Sequence, residues 1–261
     1  MTILRRLLYL CLWLAVLLTP VYAVYSGRVE IPDRWNPWAP LEIDEPFNWL
    51  TRFKLARLGT DRVQCLAVLE HSALRFTPVP DRETGPGCEL ENAVRVTATS
   101  VAIDEAFTLS CRSAVALAMW ERHVLQPAAQ LRLGTSVARL EHFGTYACRN
   151  IYARKDAPLS RHATADAIDV AGFVLNDGRR IRVARDWGAD DADARFLRDV
   201  RDGACRVFDA VLGPDYNAAH RDHFHFRSRR VAYLPLAGRR RSPSASGLAA
   251  CEQRETYGFP P

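Results

Sequence analysis

Lysine is almost missing from this chain. Of 35 basic residues only Lys54 and Lys155 are lysines, and the others are arginines. No Cys-x-x-Cys pair occurs, so the cysteines do not read as a thiolate metal site. Internal repeats are absent, which excludes a repeat array. Nucleic-acid motifs are absent too, as is the aromatic and basic interleaving of an RNA-binding sheet. The formal net charge of +5 then leaves an acidic polymer or anionic lipid as the partners a basic chain suits. Histidine is scarce, with seven in 261 residues. Charge is missing altogether between Leu7 and Gly27.

That charge-free run follows Arg5 and Arg6 and is densest over Leu7–Leu18, the length of a signal-peptide core. Cleavage after Ala23 would remove it; left in place, it is long enough to span a bilayer. In both cases the positive flank holds the N-terminus in the cytoplasm and sends the remaining chain outward. The sequence is therefore expected to be periplasmic, with residues 1–26 as signal peptide or inner-membrane anchor. Cys11 lies in this segment. Cys65, Cys88, Cys111, Cys148, Cys205 and Cys251 remain, an even number that suits three disulfides after export. Sequential pairing, 65 with 88, 111 with 148 and 205 with 251, is the simplest of 15 connectivities.

Four of the seven histidines fall in two short stretches, Ser160–Asp169 (SRHATADAID) and His220–Phe226 (HRDHFHF). His223 and His225 are two apart, so on a strand they share a face while Phe224 and Phe226 take the other. Asp169 shares a strand face with the small Ala167 and Ala171, and Ile168 and Val170 turn away from it. Two imidazoles and a carboxylate suit a borderline-soft divalent ion, zinc above all. His162, Asp169 and His225 form the three-ligand set of a catalytic zinc, which leaves one position open. His223 is then the proton carrier, and His220 orients substrate or hydrogen-bonds a ligand; the two roles are interchangeable by spacing. Ser160 reads as a local cap, because no Gly-x-Ser-x-Gly surrounds it.

Elsewhere the pattern is mixed. Residues 27–60 are a Pro- and Trp-rich strap, packing Trp35, Trp38 and Trp49 on the domain, followed by a short helix over Thr51–Leu58. Ala93–Ile103 and Val137–Cys148 read as strands, and Thr108–Leu125 as a helix broken by Pro127. Ala167–Leu175 and Arg180–Val183 flank a hairpin turn at Asn176-Asp177-Gly178. Asp190 or Asp191 caps a helix reaching Leu212, and residues 236–261 form a basic tail. Strands and helices mix without βαβ regularity, which predicts an α+β fold, an antiparallel sheet with helices on one side.

The pattern Ser160, His162, Ala167, Asp169, with His223 and His225 downstream, resembles the zinc D-alanyl-D-alanine peptidases and their hedgehog-like relatives. The spacing of His220, His223 and His225 is similar to that of penicillin-insensitive murein endopeptidases. Ala165 stands where that group usually has Gly, which suggests a turn without positive φ. Through WNPWAPL, GTYACRN, SRHATADAIDVAGF and VLGPDYNAAHRDHFHF, the chain from about Pro37 to Cys251 resembles the bacterial extensin-like C-terminal domain family. The resemblance implies a hedgehog or peptidase-like zinc domain over residues 61–235. It implies peptidoglycan or its peptides as the partner, His223 as the base, and Arg149 as the donor to an oxyanion. A zinc-stabilised envelope binding module without turnover is the alternative.

Overall fold

A computed structural model describes the chain over residues 2–229. The expected tail and the Cys205–Cys251 pairing reach outside the described residues. The chain divides into two compact units, the first ending at Ala39 and the second starting at Pro40. The first holds helix α1 (Thr2–Tyr25) and a single 3-10 turn, Asp33–Trp35. Within α1, Leu4–Tyr25 is long and apolar enough to cross a membrane.

The second unit opens with α2 (Thr51–Leu58) and α3 (Arg62–Glu70), the latter capped by Asp61, whose side chain accepts from the Gln64 N–H. Trp49 is exposed here, so it does not anchor the expected strap. Then come β1 (Arg75–Val79), β2 (Arg82–Gly85), β3 (Cys88–Leu90), β4 (Ala93–Ala98), β5 (Ala102–Ile103) and β6 (Phe107–Ser110). Strands β1, β4 and β6 form a small antiparallel sheet, and β2 and β3 a hairpin. The expected strand over 93–103 is thus two strands in different sheets, broken near Ser100.

Helix α4 (Cys111–Trp120) runs through a π-helical turn, Glu121–Leu125, into α5 (Gln126–Leu133). Pro127 does not end the helix as expected. It lies just after the π turn, where the Gln126 N–H bonds the Glu121 carbonyl and the i→i−4 ladder is already interrupted. The remaining elements are β7 (Val137–Gly144), β8 (Ala167–Leu175), β9 (Arg180–Arg182), α6 (Val183–Asp186), α7 (Ala192–Ala204), β10 (Ala210–Leu212) and β11 (Phe224–Arg227). Asp191 caps α7, accepting from the Ala194 N–H. That helix ends eight residues short of Leu212, because Ala210–Leu212 joins the sheet as β10.

The main sheet runs β10-β11-β8-β7-β5, with β9 also paired to β8. Its pairs are antiparallel except β5 with β7. The fold is α+β, as the sequence predicts. Strand β8 is its centre. Its register against β7 passes from Glu141 opposite Gly172 to His142 opposite Val170, so Ala171 is an extra, bulged residue. The bulge changes the strand's parity: Ile168 and Val170 enter the core before it, and Phe173 and Leu175 after it. Asp169 keeps the opposite face, but Ala171 does not simply continue the alternation expected of it. On β7, Phe143 is a second extra residue between His142 and Gly144, which pairs with Asp169. Both irregularities lie beside the histidine cluster.

Behind the sheet every residue of α4 is buried. Trp120 meets Phe226 edge-on at 5.2 Å and Phe173 at 6.3 Å, and its indole N–H donates to the Val200 carbonyl. Phe226 is therefore held by the core while its neighbour His225 faces the other way. Among the described residues, two disulfides join Cys65 to Cys111 and Cys88 to Cys148. These replace the sequential pairings 65–88 and 111–148. Tertiary packing sets them: α3 lies against the start of α4, and the β2–β3 hairpin lies against the loop after β7. Thr84 of that hairpin also bonds the Tyr146 hydroxyl.

Glu121, at the start of the π turn, is fully buried, and its Oε2 accepts from the backbone N–H of Ser100 at 3.1 Å. Burial pushes its carboxyl above the ordinary value, against the hydrogen bonds from Ser100 and Thr99. A raised native pKa means that the folded state holds the proton more tightly. Its stabilising contribution is complete below the unfolded pKa, about 4.3, and is lost as pH rises toward the raised native value. The loss runs at up to ~1.4 kcal/mol per pH unit. Glu121→Gln is therefore expected to gain on the wild type in urea unfolding between pH 5 and pH 8. An equal difference at both pH values would show that Glu121 does not take up a proton on folding.

Candidate metal centre

His162 sits on a 3-10 turn, Arg161–Thr164, whose N-cap Ser160 accepts the His162 backbone N–H at 3.3 Å. Ser160 is thus the local cap expected of it. Asp169 and His225 are direct cross-strand partners on β8 and β11, so both side chains leave the same face. All three ligand candidates are buried.

Their polar atoms converge. His225 Nδ1 lies 2.7 Å from Asp169 Oδ1, and His162 Nε2 lies 3.1 Å from Asp169 Oδ2 and 3.2 Å from His225 Nδ1. One ligand atom from each falls within 4.8 Å of the others. The far nitrogen of His162, Nδ1, is 2.5 Å from the Thr145 carbonyl oxygen. A carbonyl only accepts, so Nδ1 carries the hydrogen and the neutral ring keeps its lone pair on Nε2. That lone pair faces a carboxylate oxygen. The two repel unless a proton or a cation lies between them, and the donor set fits a divalent cation. The Thr145 carbonyl is the outer partner that a ligating histidine ordinarily has.

Burial raises the Asp169 carboxyl, but the hydrogen bonds and positive charge that His225, and a His162 carrying that intervening proton, direct at it outweigh the rise and hold the group well below the usual carboxylate range. Burial lowers the His225 imidazole against the pull of Asp169. Burial, then the charges of His225 and His223, push His220 down to about 4. His220 is buried, with its ring 5.2 Å from that of His223 and 5.7 Å from that of His225. His223 is partly buried; its Nε2 is 3.6 Å from Asp169 Oδ1, and its Nδ1 is 2.8 Å from Asp222 Oδ1. The four histidines of the two sequence stretches thus meet in one cluster.

A family model described as extensin-like protein C-terminus matches residues 63–234. The chain belongs to this family. No curated protein and no solved structure gives a significant match. The matched span of this extensin-like chain contains every residue of the cluster.

Arg149 is tied to the site through its backbone. Its backbone carbonyl accepts from the Ser160 N–H at 3.0 Å, but its side chain is exposed and no hydrogen bond or ion pair joins it to the cluster among the described residues. Ala165 overturns an expectation from the sequence. It ends the His162 turn in the left-handed region, at φ 54° and ψ 25°, so the position does require positive φ. A Gly would adopt it without strain, whereas an L-residue there costs roughly 1–2 kcal/mol.

Three features of this extensin-like site go beyond the sequence reading. Thr145 contributes only a backbone atom and leaves no signature. Asp222 stood next to His223 in HRDHFHF and could have been found as its orienting carboxylate. Arg227 follows His225 by two on the same strand, so parity alone places it on the site face. Burial, then the charge of Arg161, lower the Arg227 guanidinium. Both arginines flank ligand candidates, each one or two positions away in sequence.

Proposed function

We propose that this extensin-like protein is an exported, zinc-dependent hydrolase that cleaves amide bonds in peptidoglycan peptides. The convergence of His162, Asp169 and His225 carries the reading, and the resemblance of their spacing to the D-alanyl-D-alanine peptidases supplies the substrate class. The apolar helix α1 and two disulfides support export to the periplasm, with α1 as signal or anchor.

Bound by those three side chains, zinc supplies Lewis acidity that makes water nucleophilic near neutral pH. The protein's own groups do the positioning and the proton transfer. Asp222 accepts from His223 Nδ1–H, which leaves His223 Nε2 free to take a proton on the cluster side and return it to the leaving amine. Arg149, Arg161 and Arg227 supply positive charge for the oxyanion of the scissile amide. His220 contacts substrate beside His223.

The test is metal analysis of the purified full chain, with digestion of cross-linked and uncross-linked muropeptides read by mass spectrometry. One zinc per chain and chelator-sensitive release of peptides is the expected result. Full zinc occupancy without cleavage would favour the envelope-binding alternative, and a chain that takes up no zinc would remove the reading.

A further inference from the structure

We infer that Asn217 and Tyr152 are positioning residues that hold His220 in one tautomer and, with it, build a subsite for a peptide amide group of the substrate; the inference rests on the hydrolase reading above. Asn217 caps the short turn Ala218–His220, and its Oδ1 accepts from the Ala219 backbone N–H at 3.0 Å. A backbone N–H can only donate, so the oxygen end of this amide is fixed without reference to any side chain. The same Oδ1 lies 2.8 Å from His220 Nδ1. Nδ1 must therefore carry the hydrogen, and the neutral ring keeps its lone pair on Nε2.

The other end of the Asn217 amide is then a donor. Its Nδ2 is 2.8 Å from the Tyr152 hydroxyl oxygen. Tyr152 accepts this bond, which turns its own O–H proton to another acceptor. The Tyr152 and His220 rings are neighbours at 6.4 Å, and Tyr216 meets His220 edge-on at 5.7 Å. His220 is buried, while Tyr152 is 49% exposed. The Asn217 amide thus joins the two side chains and leaves one acceptor, His220 Nε2, and one donor, the Tyr152 O–H, on them. A secondary amide has the complementary pair, an N–H that donates and a carbonyl that accepts.

The loop that presents Tyr152 carries a backbone cost. Tyr152 and Ala153 are consecutive non-glycine residues in the left-handed region, at φ 54° and φ 55°. The side chain of Asn150 holds this loop by donating to the carbonyls of Arg154 and Lys155 at 3.1 and 3.0 Å. Such strain persists only where surrounding contacts impose it, and it concentrates at ligand-binding sites.

The experiment uses the full chain labelled with 15N-histidine, with the His220 signals assigned by their loss in His220→Gln. At pH 7 the wild type is expected to show His220 protonated at Nδ1 and bare at Nε2. Asn217→Asp, whose carboxylate can still accept, should keep that tautomer, and Asn217→Leu should give a mixture. An Nε2–H tautomer in the wild type, or an Asn217→Leu spectrum like wild type, overturns the inference. On cross-linked muropeptides, Tyr152→Phe should lose about tenfold in kcat/KM, mostly through KM, as expected for one hydrogen bond of roughly typical strength. Unchanged kcat/KM overturns the donor role of Tyr152. A wild type that cleaves no muropeptide removes the hydrolase reading, whereas the tautomer spectra judge the relay separately.

Discussion

Alanine at His162, Asp169 or His225 is expected to strip zinc from the chain and to abolish cleavage with it. The three groups share one small space, with His162 Nε2 3.1 Å from Asp169 and His225 Nδ1 2.7 Å from it. Among the described residues three ligand atoms converge on one point, so each variant leaves two of them. Loss of an outer-shell partner alone typically costs 10–100-fold in metal affinity, and loss of a ligand should exceed that by roughly another order of magnitude. Asp169→Ala should be the most severe, because it also removes the negative charge that makes the cluster attractive to a cation. Stability should follow: zinc held at a thousand times its Kd adds about 4 kcal/mol. Chelation should therefore lower the melting temperature of the wild type and leave the three variants unmoved. Bound zinc per chain, beside melting curves with and without chelator, reads both effects. Retention of zinc by all three variants would place the metal elsewhere.

The histidine cluster was legible because strand parity and chemistry coincide in it. HFHF alternates apolar and imidazole side chains, and Phe226 does enter the core against Trp120 while His225 faces Asp169. The hairpin at Asn176-Asp177-Gly178 was equally plain, with Gly178 at φ 84°. What stayed hidden depends on tertiary register. Ala171 gives no sign in sequence that it is a bulge, yet it decides that Phe173 and Leu175, rather than Gly172 and Val174, join the core. The disulfides follow helix and hairpin packing rather than sequence order, so Cys65 reaches past Cys88 to Cys111. The start of β6 was absorbed into a helical pattern, because Thr108, Leu109 and Ser110 satisfy both periods and only pairing with β4 selects the strand. Ala165 misled for a local reason. Alanine is a poor resident of the left-handed region, and the hydrogen bonds of its N–H to His162 and of its carbonyl to the Ser110 N–H hold it there.

His223→Ala is expected to keep zinc and to lose 10²–10⁴-fold in turnover, the usual worth of a positioned proton carrier. Its geometry separates it from the ligands. Asp222 Oδ1 takes the Nδ1–H at 2.8 Å, and Nε2 stays 3.6 Å from Asp169, farther than the 2.7 Å at which His225 meets the same oxygen. Phe143, the bulged residue of β7, stands edge-on to the ring at 5.8 Å and limits where it can turn. Asp222→Asn should keep zinc too, but lose a smaller factor, about 10–100-fold, since the imidazole remains and only its orienting charge is gone. The order His223→Ala more severe than Asp222→Asn, at constant zinc, is the signature of a base with an orienting carboxylate. His220→Ala is the control for exchange of roles between the two histidines. If it costs more turnover than His223→Ala while zinc is retained in both, His220 is the proton carrier and His223 the substrate contact. If His223→Ala loses zinc, the residue is a fourth ligand, the site is closed, and the envelope-binding alternative gains over hydrolysis.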